Sequence, residues 1–191
     1  VAIPVLAYGI HLSPVQPLEG AGLIEGNSLL YLGIKLAVKG MILPGDGQDV
    51  MLHPTAWAGW VGLLVTMINL MPIGQLDGGH IAYAYFGERH NRHSAWLHRG
   101  LLGVSIIAWG YSFAELSAGR ALGVAAVGAI QSGMPWLIWF GVLFVLRRLS
   151  RGVYHPPAGD DELTPGRRAL CVAMMIIFAL IFVPVPTRQS P

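Results

Sequence analysis

An apolar stretch that opens near Ala56 is interrupted from Asn69 to His80 by Asn-Leu-Met-Pro-Ile-Gly-Gln-Leu-Asp-Gly-Gly-His. Where a lipid-embedded helix carries Leu and Val, this stretch has a carboxylate, a carboxamide, a proline and glycines. A charged side chain at bilayer depth costs roughly 2.5 to 3.5 kcal/mol, so Asp77 has to be compensated. Pro72 removes a backbone donor, and Gly78 and Gly79 are poor helix formers that permit close backbone approach. The pattern predicts two helical pieces joined by an unwound segment, which survives in a membrane only if buried in protein or lining a wet cavity. Two uses of Asp77 then stand open. It pairs with a neighbouring His or Arg, or it serves as an oxygen ligand to a metal, as zinc accepts from Asp at about 2.0 to 2.2 Å. Asn69 is suited to hydrogen-bond a carbonyl or a developing oxyanion.

Composition identifies the solvent. Of 191 residues, 54% are hydrophobic and 12% charged, and the mean hydropathy is +0.58, too apolar for an ordinary soluble domain. The expected fold is all-α, a polytopic membrane helical bundle with one helix broken at Asn69 to Asp77, in a single transmembrane domain over residues 1–191. Val1 to Leu12 reads as the end of a span, and Ser28 as the cap of a helix through Leu43 whose Lys35 and Lys39 share a face, the helix lying at the membrane surface, packed beside the site or solvated. Further spans are expected over Leu101 to Ala114, Pro135 to Leu146 and Ala169 to Val183. Between them, Glu88 to Arg99 reads as a basic interfacial loop with solvated His90 and His93, and Glu115 to Gly133 as a loop or weak helix. Another loop holds the acidic run Asp160-Asp161-Glu162.

Basic residues gather after Phe86 and from Arg147 to Arg168, with Arg120 alone between them, which puts the first two regions on the cytoplasmic side. With a net charge of +2, this clustering speaks for a lipid bilayer and against nucleic acid as partner. Cys171 is the lone cysteine and forms no disulfide within the chain. The first residue is Val1, and its apolar run falls short of the ~20 residues of a full span. The chain is therefore expected to begin inside a helix of a longer protein.

Asn69-x-x-Pro72-x-x-x-Leu76-Asp77-Gly78-Gly79 resembles the second signature of the site-2 protease family of intramembrane metalloproteases. The preceding His53-Pro54-Thr55-Ala56-Trp57-Ala58-Gly59-Trp60 and the run to His80 are similar to a branch found in bacteria, archaea and plastids. The resemblance implies a zinc endopeptidase acting on membrane-spanning protein substrates, in a prokaryotic cytoplasmic or a plastid membrane. It implies Asp77 as the third zinc ligand and Asn69 and Pro72 in the substrate site, with Asn69 assisting carbonyl binding. Gly78 and Gly79 stand behind the ligand, and His80, three residues from Asp77, either orients the carboxylate or is a neutral interhelical hydrogen-bonding residue. The family's other two ligands and its general base come from a His-Glu-x-x-His helix. None of His11, His53, His80, His90, His93, His98 and His155 is followed by Glu, so that helix is expected upstream and this chain alone is expected to be inactive. Two other classes remain: a non-catalytic homologue acting as a membrane scaffold, and a transporter component with an ion at the break.

Overall fold

In the computed structural model, the described residues are 1–17, 23–118, 121–156 and 163–189. Arg120 and the acidic run 160–162 lie outside the described residues. Helices dominate, as the hydropathy pattern demands: α1 (Ala2–Leu12), α2 (Leu29–Lys39), α3 (Pro54–Asn69), α4 (Asp77–Phe86), α5 (Arg89–Ser117), α6 (Leu122–Leu149) and α7 (Pro165–Ile181). Among the described residues, four short strands that the sequence did not announce join them: β1 (Val15–Pro17), β2 (Leu23–Glu25), β3 (Gln48–Val50) and β4 (Thr187–Gln189). The chain divides into two compact units, Val1–Met67 with Leu180–Pro191, and Ile68–Ala179.

In the first unit, α1 and α3 touch through their backbones. A side chain on Gly9 would overlap the backbone of Ala56, and one on Gly59 would overlap Leu6. Such close approach through small residues is how membrane helices associate. Ser13 Oγ donates to the Gly9 carbonyl (2.7 Å) and accepts from the His53 N–H (2.9 Å), tying the end of α1 to the start of α3. The strands pair antiparallel in two ribbons, β1 with β3 (Val15 opposite Val50) and β2 with β4 (Glu25 opposite Thr187). The Trp60 indole N–H donates to the Gly26 carbonyl at 2.9 Å.

Helix α2 starts as expected, with Ser28 Oγ accepting from the Tyr31 N–H. It stops at Gly40, short of Leu43, because Gly40 takes the left-handed conformation (φ 73°) that closes helices. The solvated lysine face is corrected. Lys35 is fully buried, with Nζ 2.8 Å from Asp49 Oδ1 and 3.4 Å from Glu25 Oε1. Lys39 instead donates to the carbonyl of Ser13 at 2.6 Å. The ribbons bring two acids from distant parts of the chain onto Lys35, a pairing that helical spacing does not reveal.

In the second unit, α5 and α6 form an antiparallel pair. Ser105 Oγ donates to the Gly133 carbonyl (2.9 Å), and further along His98 Nε2 lies 2.8 Å from the Phe140 carbonyl. The buried face of α5 carries Ser94, His98, Leu101, Ser105, Ala108 and Ser112, spaced alternately four and three. It meets Ala125, Ala129, Ser132, Gly133 and Trp136 of α6. Two expectations change here, and of the two readings of Glu115 to Gly133 the helical one is what its described residues show. Glu88 to Arg99 is the first part of α5 and not a loop, and His90 and His98 are buried. The weakly polar stretch to Gly133 supplies the end of α5 and the front half of α6. The span expected over Pro135 to Leu146 is the rear half of a helix with Pro135 inside it. Ser, Ala and Gly read as loop by composition, yet they let two helices meet closely. Both helices are long and apolar enough to cross a membrane.

Candidate functional site

The break falls where the sequence puts it. Helix α3 ends at Asn69 and α4 begins at Asp77. Between them the chain makes tight local turns: the Met71 N–H reaches the Ile68 carbonyl (3.2 Å), Ile73 that of Met71 (2.7 Å) and Leu76 that of Ile73 (3.4 Å). Gly74 has φ 64°, a conformation open to glycine at little cost. Its N–H donates to Ser94 Oγ at 3.2 Å, and Gln75 Nε2 donates to Ser150 Oγ at 2.6 Å, so α5 and the end of α6 hold the segment in place. The glycine pair after Asp77 has a steric role. A side chain on Gly78 would overlap the Leu70 carbonyl, and one on Gly79 the Gly74 carbonyl. These two glycines let the first turn of α4 lie directly on the unwound strand.

Asp77 therefore opens a helix and is exposed. Asn69, at the close of α3, is also exposed, so the carboxamide and the carboxylate mark the two ends of the break. Pro72 lines an apolar cavity of about 360 Å³ together with Phe86, His90 and Trp96. His80 lies one helical turn beyond Asp77, and its Nδ1 is 2.8 Å from Nε2 of His155. His155 is a site residue that sequence reasoning missed. It follows α6, and no spacing rule connects it to His80; the one local sign is a histidine before two prolines in a polar loop. Tyr83 stacks on its ring at 4.0 Å, and Asn91 bonds its backbone N–H (2.8 Å) and carbonyl (3.2 Å). The buried His90 Nε2 lies 2.9 Å from Ser94 Oγ, inside the same packed region.

Asp77 has the chemistry of one oxygen donor to zinc. Among the described residues, no group of three or more His, Cys, Asp or Glu side chains is arranged to hold a metal ion. The carboxylate fits as one member of a ligand set that these residues do not complete.

Residues 35–107 match the model of peptidase family M50. The chain is 26% identical over 193 residues to a protein of Arabidopsis thaliana named probable zinc metalloprotease EGY1, chloroplastic, covering 96% of this chain and 30% of that protein. It is 25% identical over 177 residues to the Arabidopsis probable zinc metalloprotease EGY2, chloroplastic, covering 90% of this chain and 27% of the relative. The rice protein of the same name, from the indica subspecies, is 32% identical over 97 residues, 49% of this chain and 18% of its own length. The chain thus spans less than a third of the length of these relatives. No solved structure matches it. Residues 35–107, which contain both helical pieces and the break between them, are thus the part of the chain that is similar to peptidase family M50.

Proposed function

We propose that this chain is the Asp-bearing part of an intramembrane zinc metalloprotease that hydrolyses peptide bonds of membrane-spanning proteins. The observation that carries the reading is the helix break, which leaves the exposed carboxylate of Asp77 at a helix start within an apolar helical chain. The match of residues 35–107 to peptidase family M50 and the names of the relatives support it. Asp77 would hold zinc as one of its ligands, and the metal, when bound, would supply Lewis-acid activation of water near neutral pH. Everything else falls to the chain's own groups. Asn69 donates its amide N–H to the substrate carbonyl. Pro72 holds the segment out of helix. The N–H groups of Met71, Ile73, Gly74 and Leu76 are already engaged. Pairing with an extended substrate strand therefore falls to carbonyls of the segment other than those of Met71 and Ile73, which already accept from Ile73 and Leu76. The enzyme is multi-pass, its remaining ligands and general base lie upstream, and it works in a prokaryotic cytoplasmic or plastid membrane.

The deciding experiment measures zinc content and cleavage of a membrane-spanning substrate with the full-length protein and its Asp77→Ala variant. One zinc per chain, lost together with proteolysis in the variant, is the expected result. Retention of zinc and cleavage by the variant would remove Asp77 from the site. Unchanged cleavage in Pro72→Ala would end the strand-pairing proposal alone.

A further inference from the structure

His155 offers its two ring nitrogens to different partners. Nδ1 lies 2.7 Å from the carbonyl of Pro156, and Nε2 lies 2.8 Å from His80 Nδ1. A carbonyl only accepts, so the single proton of a neutral His155 resides on Nδ1. Its Nε2 is then an acceptor, and the proton between the two rings belongs to His80 Nδ1. A neutral imidazole has one N–H, which leaves His80 Nε2 bare. The device is firmly held. Tyr83 lies flat against His155, within 15° of parallel, and Asn91 grips its backbone from both sides. Asp77 and His80 stand three residues apart on α4 and so share a face.

We propose that His155 is a positioning residue that locks His80 as the Nδ1–H tautomer and presents its Nε2, on the Asp77 face, as acceptor for an N–H of an extended substrate peptide. The choice of peptide as partner rests on the protease reading; the tautomer lock does not. An extended strand brings N–H groups that need acceptors. The break offers its own carbonyls, and the bare His80 Nε2 adds an acceptor whose state cannot drift while His155 holds the other side of the ring.

The test uses the full-length protein in lipid bilayers with ¹⁵N-labelled histidine, the His80 signals being assigned by their loss in His80→Gln. His155→Phe keeps a ring against Tyr83 and removes the acceptor, and His155→Gln keeps an acceptor oxygen. In the wild type His80 is expected to be protonated at Nδ1 and bare at Nε2. His155→Phe should show both tautomers, and His155→Gln the wild-type pattern. A wild-type proton on Nε2, or an unchanged His80 in His155→Phe, overturns the lock. For cleavage of a single-span fluorogenic peptide in vesicles, His155→Phe should lower kcat/KM about 10-fold at unchanged zinc content, and His155→Gln should recover it. Equal losses in both variants overturn the assignment of Nε2 to the substrate. A wild-type protein without zinc or cleavage overturns the protease reading and with it the peptide partner, while the ¹⁵N pattern alone decides the lock.

Discussion

Lys35 carries the heaviest electrostatic load in the first unit, because a buried cation without a partner is costly and its two acids come from β2 and β3. Tyr31 donates its hydroxyl to Glu25 Oε1 at 2.8 Å, so Glu25 serves both the phenol and the ammonium. Burial pushes the Glu25 carboxyl above the usual glutamate value of 4.5, and the charge of Lys35 opposes this only in part. Asp49 is the closer counterion. Asp49→Asn is expected to cost about 3 kcal/mol in chemical unfolding followed in detergent micelles, since it removes one partner of a buried pair. Glu25 acts in the opposite sense. Its folded pKa lies above the unfolded one, so the folded state holds this proton more tightly. The stability it contributes is complete below pH 4.5 and is lost as pH rises through the raised value. Glu25→Gln, a mimic of the protonated form, should flatten that part of the stability profile. A profile in Glu25→Gln as steep as the wild type's would show that another group drives it.

At the scale of elements, the seam between α5 and α6 determines which glycines matter. A Cβ at Gly133 would stand 2.7 Å from the Ser105 carbonyl, the acceptor face of the opposing helix. Gly133→Leu should therefore force the helices apart and cost about 1 to 3 kcal/mol by thermal unfolding. Gly103, within α5, has open space around it. Gly103→Ala should be neutral or stabilising by up to ~1 kcal/mol, through helix propensity alone. The same melting experiment reads both variants, and equal effects would contradict the seam. The stripe Ser94, His98, Leu101, Ser105 follows a four-three repeat that was not read from the sequence. Its polar and small members hid it from a reading by hydropathy, which values Leu and discounts the Ser, Ala and Gly on which close membrane packing depends. The helix break shows the reverse case. Pro72, Gly78 and Gly79 act on their own backbone and on carbonyls a few residues away, so the break was legible before any tertiary contact was known.

For the whole molecule, α5 and α6 are each about 43 Å long at ~1.5 Å per residue, more than the ~30 Å hydrocarbon core requires. The protein should stay with the membrane pellet after alkaline carbonate extraction; release into the supernatant would contradict the membrane assignment. Because the chain spans under a third of its relatives and contributes one candidate ligand among the described residues, the 191-residue chain alone should retain no zinc after dialysis. The full-length protein should retain one ion per chain. Stoichiometric zinc on the isolated chain would mean that its own side chains complete a site. By itself, the sequence determined the all-α class, the apolar solvent, the break from Asn69 to Asp77 and the family resemblance, because periodicity, hydropathy and backbone chemistry act over a few residues. Tertiary structure alone decided that Lys35 is a buried cation shared by two acids, that His90 and His98 face inward, and that His155 meets His80. Each of these depends on which distant segments the chain brings together, and buried charges and imidazoles take their state from the partner across the contact.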